Sequence, residues 1–352
     1  MSERRGGLTR VARRFTLPGK NPGERTLSKL PRRALLAAPA LLAAPAVRAQ
    51  APAFPNRPIT VTVPFTAGGP TDVISRLVAE GMAKDLGQSV VVENVTGAGG
   101  TIAAARVANA RPDGYTLLSH HIGHATSATL YRSLPYNVET SFAPLGVVSD
   151  AAMTIVARPD FPASDLAGFM AEVKRQGDKL NLAHSGLGGA NQLCGMLIQH
   201  AAGTPVTTVV FRGSAPVLTE MMAGRIDVFC DQATNTAPFI RDNRIKSYAV
   251  TLDRRAEGLD LPTTAEAGQP AIAMSTWHGM YAPAGTPEAV QERLSQAIRA
   301  ALREERLKQR FAELVTEVAS QEQATPAYHR RHLAAEVARW RPIIQAANVY
   351  AD

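Results

Sequence analysis

The stretch from Ile59 to Leu86 constrains the fold more than any other part of the chain. Ile59-Thr60-Val61-Thr62-Val63 is rich in β-branched residues, reads as a strand and breaks at Pro64. A loop with two adjacent glycines, Pro64-Phe65-Thr66-Ala67-Gly68-Gly69-Pro70-Thr71-Asp72, follows. Apolar residues then recur at Val73, Ile74, Leu77, Val78, Met82 and Leu86, the spacing of one helix face. Thr71 or Asp72 serves as a candidate N-cap and Gly87 as the stop. A strand, a glycine loop and a helix in that order aim unpaired backbone N–H groups at whatever sits over the loop. That arrangement is an anion site, and it predicts a small carboxylate as ligand.

The same pattern returns along the chain. A strand at Ser89–Glu93 runs into Gly97-Ala98-Gly99-Gly100 and a helix from Thr101, and a third strand ends on His120-His121-Ile122-Gly123-His124. Strands are expected near Leu145–Val148 and Met153–Ala157. In the middle of the chain, Leu180–Ala183 leads into His184-Ser185-Gly186-Leu187-Gly188-Gly189-Ala190-Asn191 and another helix. Ser214 is read as the cap of a later helix, and Ile226–Cys230 as a strand leading to Asp231. Near the C-terminus, Pro342 should bend or end the last helix. Alternating strands and helices imply mainly parallel sheets flanked by helices, an α/β fold. Two lobes are expected, one from residues 50–150 with 254–352 and the other from 151–253. Two hinge crossovers, near Ser149 and Asp253, would join them.

Charge is concentrated at the start. Residues 1–49 hold 11 Lys and Arg against 2 Asp and Glu, which leaves 27 basic and 28 acidic residues in the rest. The remainder gives no electrostatic reason to expect nucleic acid. Arg32-Arg33, the apolar run Ala34–Ala46 and the small residues of Val47-Arg48-Ala49 read as an export leader cleaved after about Ala49. Cys194 and Cys230 could then form a disulfide or remain two buried thiols; spacing alone does not separate the two.

Three glycine loops converging on one cleft would bind carboxylates without formal charge. None is a nucleotide motif: Ile102 ends one GxGxxG-like run, Asn191 the other, and no Lys-Ser or Lys-Thr follows. Metal-ligand spacing is absent, and neither a metal nor a cofactor is expected. His120 and His121 stand at the carboxyl end of a strand, where α/β sheets receive ligands, and are read as pocket-wall donors. His278 is open between packing and a pocket role. Ala183 occupies the place of the first glycine of a nucleophile elbow around Ser185, so no enzyme is expected. Arg212 follows a strand and could pair a carboxylate.

Several runs together resemble one family: Pro55-Asn56-Arg57-Pro58-Ile59, PFTAGGPTD at 64–72, ENVTGAGGTIAAA at 93–105, Pro112–Leu117, GRIDV at 224–228 and LPTTAEAG at 261–268. It is the substrate-binding proteins of tripartite tricarboxylate transporters, also called Bug proteins, and the resemblance spans residue 54 to the end. It implies a periplasmic, two-lobed Venus-flytrap receptor, monomeric, that hands a small organic carboxylate to a two-subunit permease. A ligand-presenting sensor and, further off, an exported α/β enzyme are the alternatives. The ligand set expected from residues and resemblance together is Phe65, Thr66, Ala67, Gly68, Gly69, Asp72, Gly99, Gly100, His120, His121, Ser185, Gly188, Asn191 and Asp231. Thr66 and the His120-His121 pair depart from the common family pattern, which points away from a simple dicarboxylate.

Overall fold

In the computed structural model, which describes residues 54–351, the chain opens with β1 (Ile59–Val63) and α1 (Pro70–Leu86). The export leader and its cleavage point lie outside the described residues. β2 (Val90–Asn94), α2 (Thr101–Ala108), β3 (Thr116–His121) and α3 (Gly123–Leu130) follow. β2 and β3 flank β1 in parallel, as short strand–helix–strand connections require. Ile59, Val61 and Val63 are fully buried and share one core cluster with Ile74, Val78 and Met82 of α1. The helix therefore lays its apolar stripe on the sheet.

β4 (Phe142–Ala157) is a single 16-residue strand where two were expected. A gap at residues 149–152 was expected between them, but Ser149 and Asp150 sit on a continuous ladder. Through Ala152 the strand pairs antiparallel with β9 (Ser275–Pro283), and at Ser149–Ala151 with β10 (Thr316–Val318). From Met153 onward it pairs instead with β7 (Val228–Gln232) and β8 (Lys246–Val250). Between them in sequence lie α4 (Leu166–Gln176), β5 (Asn181–His184), α5 (Ala190–Ala202), β6 (Thr207–Val210), α6 (Ser214–Met222) and, before β8, α7 (Ala233–Arg241). β5 runs parallel to β6 and β7. The chain closes with α8 (Glu288–Ala301), α9 (Glu305–Glu313) and α10 (Pro326–Ala347).

The strand order is β2-β1-β3-β9-β4-β7-β5-β6. Two parallel trios, β2-β1-β3 and β6-β5-β7, are thus joined by the antiparallel pair β9 and β4. The chain passes between them through β4 at Ala152–Met153 and returns after β8. The return is stitched to the first passage: the Thr251 N–H donates to Met153 O at 2.9 Å, and the Met274 N–H to Thr251 O at 2.9 Å.

Pro342 does not end α10, which continues to Ala347. Trp340 and Ile344, on either side of it, are fully buried, and this packing carries the helix past the missing N–H.

Candidate functional site

Both trios present the carboxyl ends of their strands to one cavity of about 480 Å³. The β1–α1 loop contributes Pro64, Phe65, Thr66, Gly69 and Pro70, with Thr71 behind them. The β2–α2 loop contributes Thr96 to Gly100, and His121 closes that side from the end of β3. Facing them are Ser185, Gly186, Leu187, Gly189, Ala190 and Asn191 after β5, Val210 to Ser214 after β6, and Asp231 and Gln232 after β7.

The β1–α1 and β5–α5 loops share one turn at their glycine pairs, 120 residues apart, although Gly186 is at φ +130° where Thr66 is not at positive φ. Gly68 and Gly188 both have φ of +77°, a left-handed backbone that glycine adopts without penalty. Gly69 and Gly189 are the extended N-cap residues, at φ −75° and −69°. Gly69 N–H donates to Thr66 O at 3.2 Å and Gly189 N–H to Gly186 O at 3.3 Å. The Gly68 N–H donates to Asp72 Oδ2 at 2.8 Å and the Gly188 N–H to Gln192 Oε1 at 2.5 Å. In each loop a side chain at the third helical position reaches back over the helix start, much as in a capping box. Asp72 is therefore a brace in the first turn and not the N-cap.

That brace leaves the next N–H groups of the first turn open. α1, α2, α5, α6 and α7 all begin at the cavity, and none has a side-chain cap on its N-cap residue. Ser214, expected as a cap, is the first residue of α6, behind the N-cap Gly213. By contrast, α4 and α10 start elsewhere and are capped by Asp165 and Thr325. α3, α8 and α9 lack caps as well; α8 and α9 carry an acidic residue in the first turn, Glu288 and Glu305, as α1 carries Asp72. Uncapped helix starts around a cavity supply N–H donors and the positive ends of helix dipoles.

Asp72 is nearly fully buried. Its Oδ1 accepts from Asn94 Nδ2 at 2.8 Å and its Oδ2 from Arg76 Nε at 2.9 Å. Burial pushes this carboxyl up, but the Arg76 guanidinium, the Gly68 N–H and the Asn94 amide together hold it below the usual value. Asn94 also donates to Phe65 O at 2.9 Å, so the brace fixes the loop at both ends.

His121 stacks on Phe65, with ring centroids 4.3 Å apart. Its Nδ1 accepts from the Gly123 N–H at 2.8 Å, which leaves Nε2 to carry the proton on a ring that lines the cavity. Burial lowers its pKa to about 4, so it is a neutral donor at physiological pH. On the opposite wall, Asn191 accepts from the Ser185 N–H and hydroxyl at 3.2 and 3.1 Å. Its amide stands 3.5 Å from Asp231 Oδ1. The Cys194–Cys230 disulfide, with Cα atoms 6.0 Å apart, ties α5 to β7 one residue before Asp231.

Of the anticipated residues, Phe65, Thr66, Gly69, Gly99, Gly100, His121, Ser185, Asn191 and Asp231 line the cavity. Ala67, Gly68, Asp72, His120 and Gly188 stand outside the lining. Gly68 and Gly188 supply the backbone that shapes the two loops. His120 stands beside His121, its ring centroid 5.1 Å from that of His121 and 5.4 Å from that of Phe65, but its Nδ1 lies 3.0 Å from His121 O and its ring lies against Gly100 rather than on the cavity wall. His278 is fully buried behind the wall, where Nε2 meets Thr71 Oγ1 at 3.2 Å and Nδ1 meets Ser149 Oγ at 3.0 Å. The β6–α6 loop was not in the anticipated set beyond Arg212; the glycine before a helix at Gly213 was its signal. Arg212 is exposed, on the cavity wall, and has no carboxylate partner among the described residues. No group of three or more His, Cys, Asp or Glu among the described residues is placed to hold a metal ion.

The comparisons with known proteins agree on one relationship. The family model described as tripartite tricarboxylate transporter family receptor matches residues 74–349. A UPF0065 protein of Agrobacterium vitis, from the TAR-I ttuE–ttuC′ intergenic region, is 43% identical over 295 residues, 84% of this chain and 85% of its own. The periplasmic binding protein BugD is 40% identical, with a TM-score of 0.80 over 84% of this chain and 99% of its own. MatC from Rhodopseudomonas palustris, solved with bound malate, is 37% identical, with a TM-score of 0.79 over 83% of this chain and all of its own. The chain belongs to the tripartite tricarboxylate transporter receptors, the Bug-type periplasmic solute-binding proteins.

Proposed function

We propose that this protein is a periplasmic receptor that captures a small organic carboxylate between its two lobes and delivers it to a two-subunit membrane permease. The observation that carries this reading is the pair of matching glycine loops, with uncapped helix starts behind them, on opposite walls of one cavity. Carboxylate oxygens accept from the N–H groups of Thr71 and Ala190 and their neighbours, and the neutral His121 adds a directed donor. Closure excludes water, which strengthens each of these contacts. The lobes turn on β4 at Ala152–Met153 and on the stitched return at Thr251, so closure is a swing of two bodies about two strands. The ligand selects the closed population. The malate in MatC supports a carboxylate of this size.

The test is a thermal-shift screen of the purified mature protein against organic acids, followed by calorimetry on the hits. A carboxylate that raises the melting temperature and binds at one site per chain is the expected result. A panel of mono-, di- and tricarboxylates without effect overturns the reading. Delivery is tested by co-purification with, or stimulation of uptake by, the reconstituted permease.

A further inference from the structure

Asp150 stands on β4, two residues before that strand changes partners, on the first of the two passages about which the lobes turn. β10 and β9 flank it, with Glu317 and Trp277 as its cross-strand partners. The second passage, after Thr251, brings Asp253 and Arg254 to the same place. Arg254 is already engaged there: Nη1 donates to Asp253 Oδ1 at 2.8 Å and Nε to Glu317 Oε1 at 3.1 Å. Arg254 and Glu317 are half-exposed on a groove of about 460 Å³, so solvent screens their charges. The Ser275 hydroxyl hydrogen-bonds the Asp150 carboxyl, yet its Oδ1 is buried with no hydrogen-bond partner among the described residues. Three carboxylates thus share one guanidinium at the hinge, and the most enclosed of them is incompletely served.

A buried carboxylate oxygen without a donor is costly when ionised, and like charges beside it add to the cost. A proton on Asp150 removes one negative charge from the cluster and supplies an O–H donor. Opening the hinge relieves the same cost by another route. The return passage packs on the lobe of α7, through Leu252 and Ala256 against Ala233 and Ala237, whereas Glu317 stays on β10 beside β4. Their separation lets water reach Asp150. We propose that Asp150 is a proton-operated latch in the hinge: neutral, it favours the arrangement seen here, with the lobes in contact at Gly99 and Leu187; ionised, it favours the open form. This rests on the swing of the lobes proposed above and goes beyond it, because the latch works without any acid in the cavity. Burial, with Glu317 and Asp253 adding to it against the Ser275 hydroxyl and Arg254, pushes the carboxyl up to about 6 from the usual 3.8. The closed form therefore keeps the proton through a range in which the open form has lost it. Acidification from pH 7.5 to 5 should raise the ratio of closed to open molecules about tenfold.

The experiment is single-molecule energy transfer on the ligand-free mature chain. Dyes are placed at Arg111→Cys in one lobe and Lys174→Cys in the other, both exposed positions; the native cysteines are bridged and take no dye. The closed fraction should rise as the pH falls from 7.5 to 5. Asp150→Asn, uncharged at every pH, should hold the pH 5 ratio throughout, with the response cut to about twofold or less. A ratio in the labelled wild type that does not move with pH overturns the latch. So does a response that survives in a folded Asp150→Asn protein. Asp231 is also pushed up to about 6, so a response lost in Asp231→Asn and kept in Asp150→Asn assigns it to the cavity and overturns the latch as well. Should Asp150→Asn fail to fold, Glu317→Gln decides: removal of one facing carboxylate should move the midpoint of the response to lower pH, and an unmoved midpoint overturns the latch. The receptor reading fails separately, on the thermal-shift screen.

Discussion

Gly99 lies so close to Leu187 that a Cβ at position 99 would stand 2.2 Å from the Leu187 carbonyl oxygen. Gly99 belongs to the β2–α2 loop and Leu187 to the β5–α5 loop, so the two trios touch at the mouth of the cavity. Gly123 repeats the approach, with a Cβ 2.6 Å from Gly188 O. A side chain at 99 wedges this contact. Gly99→Ala should lower ligand affinity at least tenfold and enlarge the ligand-bound molecule in small-angle scattering. At φ +60° the alanine also costs stability, about 1–2 kcal/mol, which a melting curve without ligand measures separately.

Asp72→Ala removes the acceptor for Gly68, Arg76 and Asn94 together. Losing these bonds should cost roughly 1–3 kcal/mol in denaturant unfolding and weaken binding through the loosened loop. Because the folded carboxyl titrates below its unfolded value near 3.8, its stabilisation is present above that pH and lost as the pH falls through the lower folded value. The stability gap between wild type and Asp72→Asn should therefore be full at pH 7 and close below about pH 4.

His121 gives the opposite pairing of effects. Held near a pKa of about 4, it stays neutral from pH 5.5 to 8, and its contribution to ligand affinity should be flat across that range. Stability should not be flat. The unfolded histidine takes up a proton first, so this group's contribution is complete above about pH 6.5 and is lost as the pH falls toward 4. Burial depresses His120, His278 and His329 as well, with the same sign. His121→Phe keeps the stack on Phe65 and removes the donor. Calorimetry should show affinity reduced about 10- to 100-fold, the range of one hydrogen bond to a charged group.

The Cys194–Cys230 bridge closes a loop of 36 residues. Reduction, or the paired change Cys194→Ser and Cys230→Ser, should lower unfolding free energy by roughly 3–4 kcal/mol. The same treatment should weaken ligand binding, since the bridge holds the strand that carries Asp231. Denaturant curves and calorimetry with and without reductant check both.

The strand–glycine–helix unit at 59–86 was legible because every signal in it is local: alternation, a glycine pair, and helical spacing of apolar residues. The same holds for the loop at 184–191. β4 was not legible, because whether Ser149 and Asp150 interrupt a strand depends on β9 and β10, which are more than a hundred residues away in sequence. The cysteine pairing is likewise a distance that only the fold supplies. Asp72 was read as the end of the loop, a candidate cap and a ligand residue; it is the third residue of α1, and its role turned on Asn94 and Arg76, which close around it from another strand and the next helical turn. At the end of β3 both histidine rings pack against Phe65, but only His121 lines the cavity, because Gly100 lies against the His120 ring. Sequence gave no means of saying which.

The doubled loop has a further consequence. A straight-chain diacid entering this cleft meets a similar glycine turn at each end, formed once around Gly68 and once around Gly188. Such a guest could lie in either direction with little to choose between them. Whatever makes one direction right falls to the groups that have no counterpart across the gap, namely His121, Arg212 and Asp231. Relatives that share the loops but vary these three would then differ in which end of the guest they recognise, while keeping the same grip.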